Sequence, residues 1–520
     1  MQMEHFPPLM FAGLVIIMLI GFPVAFSLAA LGLLSGFVAI EMGWFPAAFM
    51  GNLPIALFSI LNNELLLAIP FFTFMGTILE KCGLAEDMLD SMGQLFGPRR
   101  GGIGYSVIIV GFILGAITGT VAGQVIAMAL ISLPVMMKYN YNMRYATGVL
   151  AASGTITQLV PPSLVLVVLA DQLGRPVGDM YKGAWGPSLL QVGMFALYTF
   201  ALTRIKPSYL PSIPITERTL NGWALWKKAL RGIVPSAILI FTVLGSMGGL
   251  PFQKSAIATP TEAGAMGVVG ALILAAMSKR LTKALIWEAM SGTMRLTAMV
   301  VFILIGSRVF SQVFQGVDGA KWVEHLLTGL PGGQIGFLIV VNVFVFFLAF
   351  FLDFFEIAFI IVPMLAPVAD KMGIDLIWFG VLLCVNLQTS FMHPPFGFAL
   401  FYLRGIADTL FKDKRIPVPV KSNDIYMGAI PWVLMQVVLV FIVIFVPQSV
   451  TMFLDEKVVV DVDKVQIEMP AEEPAVGTEP KPDAMPAPKE GEPIDPAAAD
   501  KAAEKAADDE QKKIDELFKK

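Results

Sequence analysis

Long apolar segments alternate with short polar ones along most of the chain, and several reach the roughly 20 residues that a helix needs to cross a bilayer. Read in order, the pattern predicts a span at 6–20, turned by Gly21-Phe22-Pro23 into a second that runs to about Ile40. Residues 43–63 read as an amphipathic loop, 65–82 as a third span, and 84–98 as an interfacial helix with Glu86, Asp87, Asp90 and Gln94 on one face. The apolar stretch 103–137 is too long for one ordinary span and is interrupted at 115–123 by Gly, Ala and Thr, which predicts a re-entrant hairpin with a non-helical tip. A broken helix over 144–171 and a span over 182–203 follow. After the basic stretch 204–231 the pattern restarts, with spans at 232–249, 260–277 and 294–314. A second interrupted stretch at 334–367, a second broken helix at 375–405 and a last span at 427–447 complete it.

The two broken helices organise the rest. Thr157-Gln158-Leu159-Val160-Pro161-Pro162-Ser163 and Thr389-Ser390-Phe391-Met392-His393-Pro394-Pro395-Phe396 each place a Pro-Pro inside an apolar segment. Proline removes a backbone donor and clashes one turn back, so each helix should break there. Freed backbone groups survive at membrane depth only where they are buried in protein or line a wet cavity. A pair of interrupted segments in corresponding places points to a transporter's binding site. The correspondence is internal: Pro23 pairs with Pro260, Thr118 with Asp353 and Pro161 with Pro394, at offsets of 237, 235 and 233 residues. The expected fold is an all-α polytopic membrane protein of two repeats, 1–203 and 232–450, each with a re-entrant hairpin and a broken helix, joined by a cytoplasmic connector at 204–231.

Charge sets the expected orientation. The first hairpin is flanked by Arg99, Arg100, Lys138 and Arg144, the second by no positive excess, so they should enter from opposite sides. That makes the repeats inverted in topology and puts both termini outside the cytoplasm. The net charge of −4 hides a division, because residues 451–520 hold 19 Asp/Glu against 10 Lys/Arg, leaving the first 450 residues at +5. This acidic tail, rich in Pro, Ala, Glu and Lys, is expected to be disordered, with helix-forming composition at 497–519. The first residues lack a basic n-region, so no cleavable signal peptide is expected. With two cysteines, Cys82 and Cys384, and three histidines, no disulfide framework and no zinc site are expected. No phosphate-binding loop or nucleic-acid motif is present, which excludes direct ATP coupling within this chain and a nucleic-acid partner.

Charges inside spans are costly and usually functional. Asp353 and Glu356 sit three apart in the second interruption. Glu262 follows Thr259-Pro260-Thr261, where capping a helix start competes with transport. Arg308 could meet a substrate carboxylate or pair with an acid in the bundle. Na+ needs several oxygen ligands, which hydroxyls and unwound carbonyls supply. One candidate cluster is Thr118, Gly119 and Thr120 with Thr155, Thr157 and Gln158; the other is Asp353 and Glu356 with Gln388, Thr389 and Ser390. The breaks themselves, Pro161, Pro162 and Ser163 with Pro394 and Pro395, are substrate candidates alongside Arg308, Asn386 and His393.

At these residues the chain resembles the large membrane subunit, DctM type, of the tripartite ATP-independent periplasmic (TRAP) transporters. The matching motifs are Gly21-x-Pro23, LLLAIPFFTFMG at 65–76, GAITGTVAG at 115–123, TQLVPPS at 157–163, ATPTEAG at 258–264 and PPFG at 394–397. The resemblance implies an elevator-type, sodium-coupled importer of organic acids in the bacterial inner membrane. It also implies a small four-helix membrane subunit and a periplasmic substrate-binding protein as partners, a small carboxylate as substrate, and no cofactor beyond Na+ as coupling ion. Thr-Gly-Thr at 118–120 replaces the family's usual Ser-Gly-Ser, and Gln124 stands where small residues are usual. Two alternatives remain open from the residues: a dicarboxylate carrier of related architecture that needs no binding protein, and a membrane-embedded hydrolase using Asp353 and Glu356.

Overall fold

The computed structural model describes residues 3–214, 216 and 222–455, apart from the side chains at 85, 117 and 118. The acidic tail and its 497–519 stretch lie outside the described residues. Every regular element described is helical. Among the described residues eight helices are long and apolar enough to cross a membrane, or ten if each of two bent pairs counts as one.

Helix α1 (Phe6–Ile20) ends at Gly21, left-handed at φ 91°, and Pro23 starts α2 (Val24–Glu41). The stretch read as a loop folds instead as a 3-10 turn (Ala47–Asn52) and α3 (Leu53–Leu61). Pro54 looks like a breaker in sequence, but in the first turn a proline lacks only a donor that the helix leaves free anyway. Then come α4 (Glu64–Lys81), capped by Asn63, and the amphipathic α5 (Leu84–Phe96). Hairpin one is α6 (Gly102–Thr118) and α7 (Val121–Lys138), joined at Gly119 and Thr120. Broken helix one is α8 (Met143–Thr155) and α9 (Leu164–Gln172), and α10 (Val177–Ile205) follows it.

The order then repeats. The partners of α1, α2 and α4 are α11 (Gly222–Ser246), α12 (Pro260–Met277) and α13 (Lys283–Gly316). The partner of α5 is α14 (Gly319–Thr328). Hairpin two is α15 (Gly333–Leu348) and a second arm made of α16 (Phe354–Glu356), a π segment (Ile357–Ile361) and α17 (Val362–Lys371). Broken helix two is α18 (Leu376–Met392) and α19 (Phe398–Lys412), and α20 (Ser422–Phe445) and α21 (Gln448–Thr451) close the fold.

Turn chemistry repeats with the elements. Left-handed residues recur at Gly83 and Asp318, Gly101 and Gly332, and Asn140 and Gly373, pairs 235, 231 and 233 residues apart. Asn142 caps α8 by accepting from Arg144 N and Tyr145 N, and Asp375 caps α18 by accepting from Ile377 N and Trp378 N. Several elements differ from the sequence pattern. Helix α11 begins ten residues before the expected 232, so the connector 204–231 is helical from Gly222. Its Leu225, Ala229, Gly232 and Ser236 form a buried stripe, while Lys228 points outward to Asp90 on α5 at 2.5 Å. Helix α13 absorbs the polar-faced stretch before 294 into one 34-residue element. At 1.5 Å per residue it is about 51 Å long, well beyond the hydrocarbon core, so its charged start can lie outside it. Finally, α14 had shown itself in sequence only as charges flanking a hairpin.

The repeats interlock. Helix α2 packs on α13 while its counterpart α12 packs on α4. Likewise α8 packs on α20 and α10 on α18. Small residues permit this closeness, as is common between membrane helices. A Cβ at Gly148 would meet Gly428 O at 2.3 Å, and one at Gly306 would meet Ala25 O at 2.3 Å.

Candidate functional site

Both broken helices and both hairpins converge. At the first break α8 tightens into a 3-10 turn at Ile156–Gln158 and the chain runs unwound to Ser163, the N-cap of α9. Ser163 Oγ accepts from Val165 N and donates to Gln158 O at 2.6 Å. Thr157 donates to Gly154 O at 2.8 Å. Thr155 donates to Ala152 O and accepts from Gln436 Nε2 at 3.0 Å. At the second break the helix persists further than the sequence pattern indicated, so Thr389, Ser390 and Met392 are still helical and the unwound stretch is His393–Gly397. Thr389 donates to Asn386 O at 2.6 Å. The two threonines therefore play the same local part, each sending its proton one turn back and leaving its oxygen lone pairs open to a cation. The Pro161–Pro162 and Pro394–Pro395 peptide bonds are both cis.

Each break supplies a helix C-terminal end, which favours a cation, and a helix N-terminal end, which favours an anion. Hairpin one closes on the first break. A Cβ at Gly115 would lie 3.3 Å from Thr157 Cα, and Gly119 and Thr120 share a small cleft with Pro162, Leu164 and Thr73 of α4. Gln124 of α7 donates to Gly111 O and to Ser153 O, tying both arms of the hairpin to α8. Hairpin two meets the second break through α15. Ser390 donates to Phe346 O at 3.3 Å, and Asn386 Nδ2 donates to Asn342 O at 2.7 Å. The two halves also touch each other, since Cys384 on α18 donates to Gln158 O at 3.1 Å and Gln388 exchanges two 3.0 Å bonds with Gln191 of α10.

Thr155, Thr157, Gln158, Gln388, Thr389, Ser390 and Asn386 are all buried at this convergence. Gln158 Oε1 is buried without a hydrogen-bond donor, and so is Asn342 Oδ1. In a protein interior an acceptor left without a donor is costly, and a bound cation is one way to satisfy it. The Thr118 side chain is outside the described atoms. Glu356 reaches back to Asp353 N at 2.8 Å, and the pair forms a capping box that starts the second arm of hairpin two. That arm packs on α9 and α13. The structure thus joins the tip of hairpin two to the first break's second half, while Thr389 and Ser390 face its first arm. His393 packs between Phe346 and Phe350 with ring centroids 5.3 and 4.9 Å away. Arg308 lies exposed on α13 and makes no ion pair among the described residues. Glu262 closes a capping box with Thr259 at the start of α12. Sequence reasoning missed Gln191, Asn342 and Gln436. Their signal was present as uncharged amides in otherwise apolar spans, whose partners lie far away in sequence.

Among the described residues no group of three His, Cys, Asp or Glu could hold a metal ion. The fold resembles the crystal structure of the Alcanivorax borkumensis YdaH transporter, described as having an unusual topology, at TM-score 0.51 and 13% identity over 86% of this chain and 98% of that one. The 2,3-diketo-L-gulonate TRAP transporter large permease protein YiaN of Escherichia coli is 26% identical over 83% of this chain and 95% of its own length. The C4-dicarboxylate TRAP transporter large permease protein DctM of Rhodobacter capsulatus is 26% identical over 84% of this chain and 96% of its own length. Residues 11–449 match the model of the family described as the tripartite ATP-independent periplasmic transporter, DctM component. The chain with its paired breaks and hairpins belongs to that family, as a multi-pass membrane component of a TRAP transporter.

Proposed function

We propose that this chain imports a small organic acid across the bacterial inner membrane together with Na+. The acid is handed over by a periplasmic substrate-binding protein, and a small four-helix membrane subunit works beside the large one. Both termini face the periplasm in this reading. The observation that carries it is the matched pair of threonines, Thr157 and Thr389, each at a buried helix end with its proton committed backward. One Na+ takes Thr157, Thr155 and Gln158 with backbone carbonyls near the 118–120 tip. A second takes Thr389 and Ser390 with backbone carbonyls at the end of α18, where Gln388, its amide committed to Gln191, holds the helix in place. The Asp353–Glu356 box shapes the tip of hairpin two. The helix starts at Ser163 and Gly397 face the substrate carboxylate, with Pro161, Pro162, Pro394, Pro395, Asn386 and His393 around it; Arg308, exposed on α13, is the cation left to meet a second acidic group. Relatives named for a sugar acid and for C4-dicarboxylates support the substrate class.

Hairpins and broken helices move as one body against the scaffold of α1, α2, α4, α11, α12 and α13 in an elevator-type cycle. Reconstitution in liposomes tests this. With the small subunit and the binding protein present, radiolabelled C4-dicarboxylates and sugar acids should accumulate under an inward Na+ gradient. Accumulation should fall at least about tenfold in Thr157→Ala, the loss of one good ligand contact. Equal uptake under a K+ gradient would sink sodium coupling, and equal uptake without the binding protein would favour the independent carrier.

A further inference from the structure

A cavity of about 570 Å3 lies at the end of hairpin one opposite its tip, between the α5–α6 turn and the end of α10. Arg99, Arg100 and Arg204 line it together with Phe96, Tyr105 and Phe200. No Asp or Glu lines it, and among the described residues none of the three arginines forms an ion pair. Arg204 sits over the Phe200 ring at 5.2 Å. The three guanidiniums are exposed and have no carboxylate partner among the described residues, so with the aromatic wall beside them they are free to take an anion. Guanidinium forks match phosphate oxygens in geometry as well as charge.

The surroundings say which anion. Leu190, Leu197 and Phe200 are exposed along one face of α10, and that apolar strip ends at Arg204. A ligand with a phosphate head and a hydrocarbon tail fits both parts. The volume falls within the roughly 300–1,000 Å3 usual for small-molecule sites, which is more room than a bare phosphate ion uses. The floor of the cavity is also pinned to the connector that leaves α10. Gly101 N donates to Leu210 O at 3.1 Å and Ile213 N donates to Gly97 O at 2.7 Å.

We propose that this cavity is a binding site for the phosphate-glycerol headgroup of an anionic phospholipid, with an acyl chain lying along α10. The lipid staples the root of hairpin one to the end of α10, where the chain passes into the second repeat. The site stands independently of the transport reading.

Native mass spectrometry of the purified full-length protein tests it, with titrations of dioleoyl phosphatidylglycerol and dioleoyl phosphatidylcholine. The native chain should bind phosphatidylglycerol about tenfold or more tightly than phosphatidylcholine, as several arginines near one phosphate imply. The triple variant R99Q/R100Q/R204Q should lose that preference, and R99K/R100K/R204K should keep part of it. Should the triple variant fail to fold, R204Q alone is expected to weaken the preference about threefold. Inorganic phosphate and glycerol 3-phosphate, added without lipid, should leave the thermal midpoint unmoved. Equal binding of the two lipids by the native chain, or an undiminished preference in the Gln variants, would overturn the site. A midpoint raised by either soluble phosphate would overturn the lipid as its occupant.

Discussion

At the scale of single residues, the buried amides and caps separate structural from ionic roles. Gln191 and Gln388 satisfy each other across 197 positions of sequence. Truncating one leaves the other buried and unpaired, a penalty of about 1–3 kcal/mol, whereas removing both is much milder. Thermal denaturation should therefore show Gln191→Leu lowering the midpoint and Gln191→Leu/Gln388→Leu recovering most of it. An additive loss in the double variant would mean the pair is not coupled. Glu356 accepts from Asp353 N, a job that glutamine performs as well in a capping box. Glu356→Gln should then keep Na+-driven uptake near the native level. Glu356→Ala should lose about 1 kcal/mol of stability. Loss of Na+ dependence in the Gln variant would make the carboxylate an ion ligand instead. The prolines and hydroxyls of the two breaks could be read from sequence because each marks its own local conflict with a helix. The amide pairs could not, because nothing local in Gln191 names Gln388.

At the scale of elements, the helix packing depends on positions with no room for a side chain. A Cβ at Gly428 of α20 would lie 2.2 Å from Arg144 O and 2.7 Å from Thr147 Oγ1 on α8. A backbone oxygen on a helix cannot swing aside, so Gly428→Ala should push α20 off α8 at a cost of about 1–3 kcal/mol. Gly193 of α10 has nothing within 4 Å of its Cβ position, and Gly193→Ala should be neutral or slightly stabilising. Detergent-solubilised yield and thermal midpoint of the two variants check this, and equal behaviour would argue against the close approach. Element existence was legible wherever apolar length or a break signalled it, as for both hairpins. Boundaries were less so. The charges of α11 read as connector and those of α13 as a separate polar-faced stretch, because hydropathy averages over a face that only the packed structure separates.

At the scale of the molecule, the repeats are interlocked rather than side by side, and residues 3–455 lie within one compact unit. Each half gives helices to the other, so neither should fold alone. Halves separated between 214 and 222 should be degraded when expressed singly and copurify when expressed together. A stable lone half would contradict the exchange. Sequence offsets reveal that there are two repeats but not that α2 packs on α13 and α12 on α4, because pairing between distant helices leaves no periodic trace. The central claim is that Na+ binds at the two matched threonines, and it can be tested without knowing the substrate. The purified protein would be unfolded thermally in NaCl, in equal KCl and in choline chloride, alongside Thr157→Ala and Thr389→Ala. A ligand selective for the folded state adds about 1.4 kcal/mol at ten times its dissociation constant. The account predicts that Na+ alone raises the midpoint and that each substitution blunts the rise. Indistinguishable midpoints in the three salts, or an undiminished rise in both variants, would contradict it.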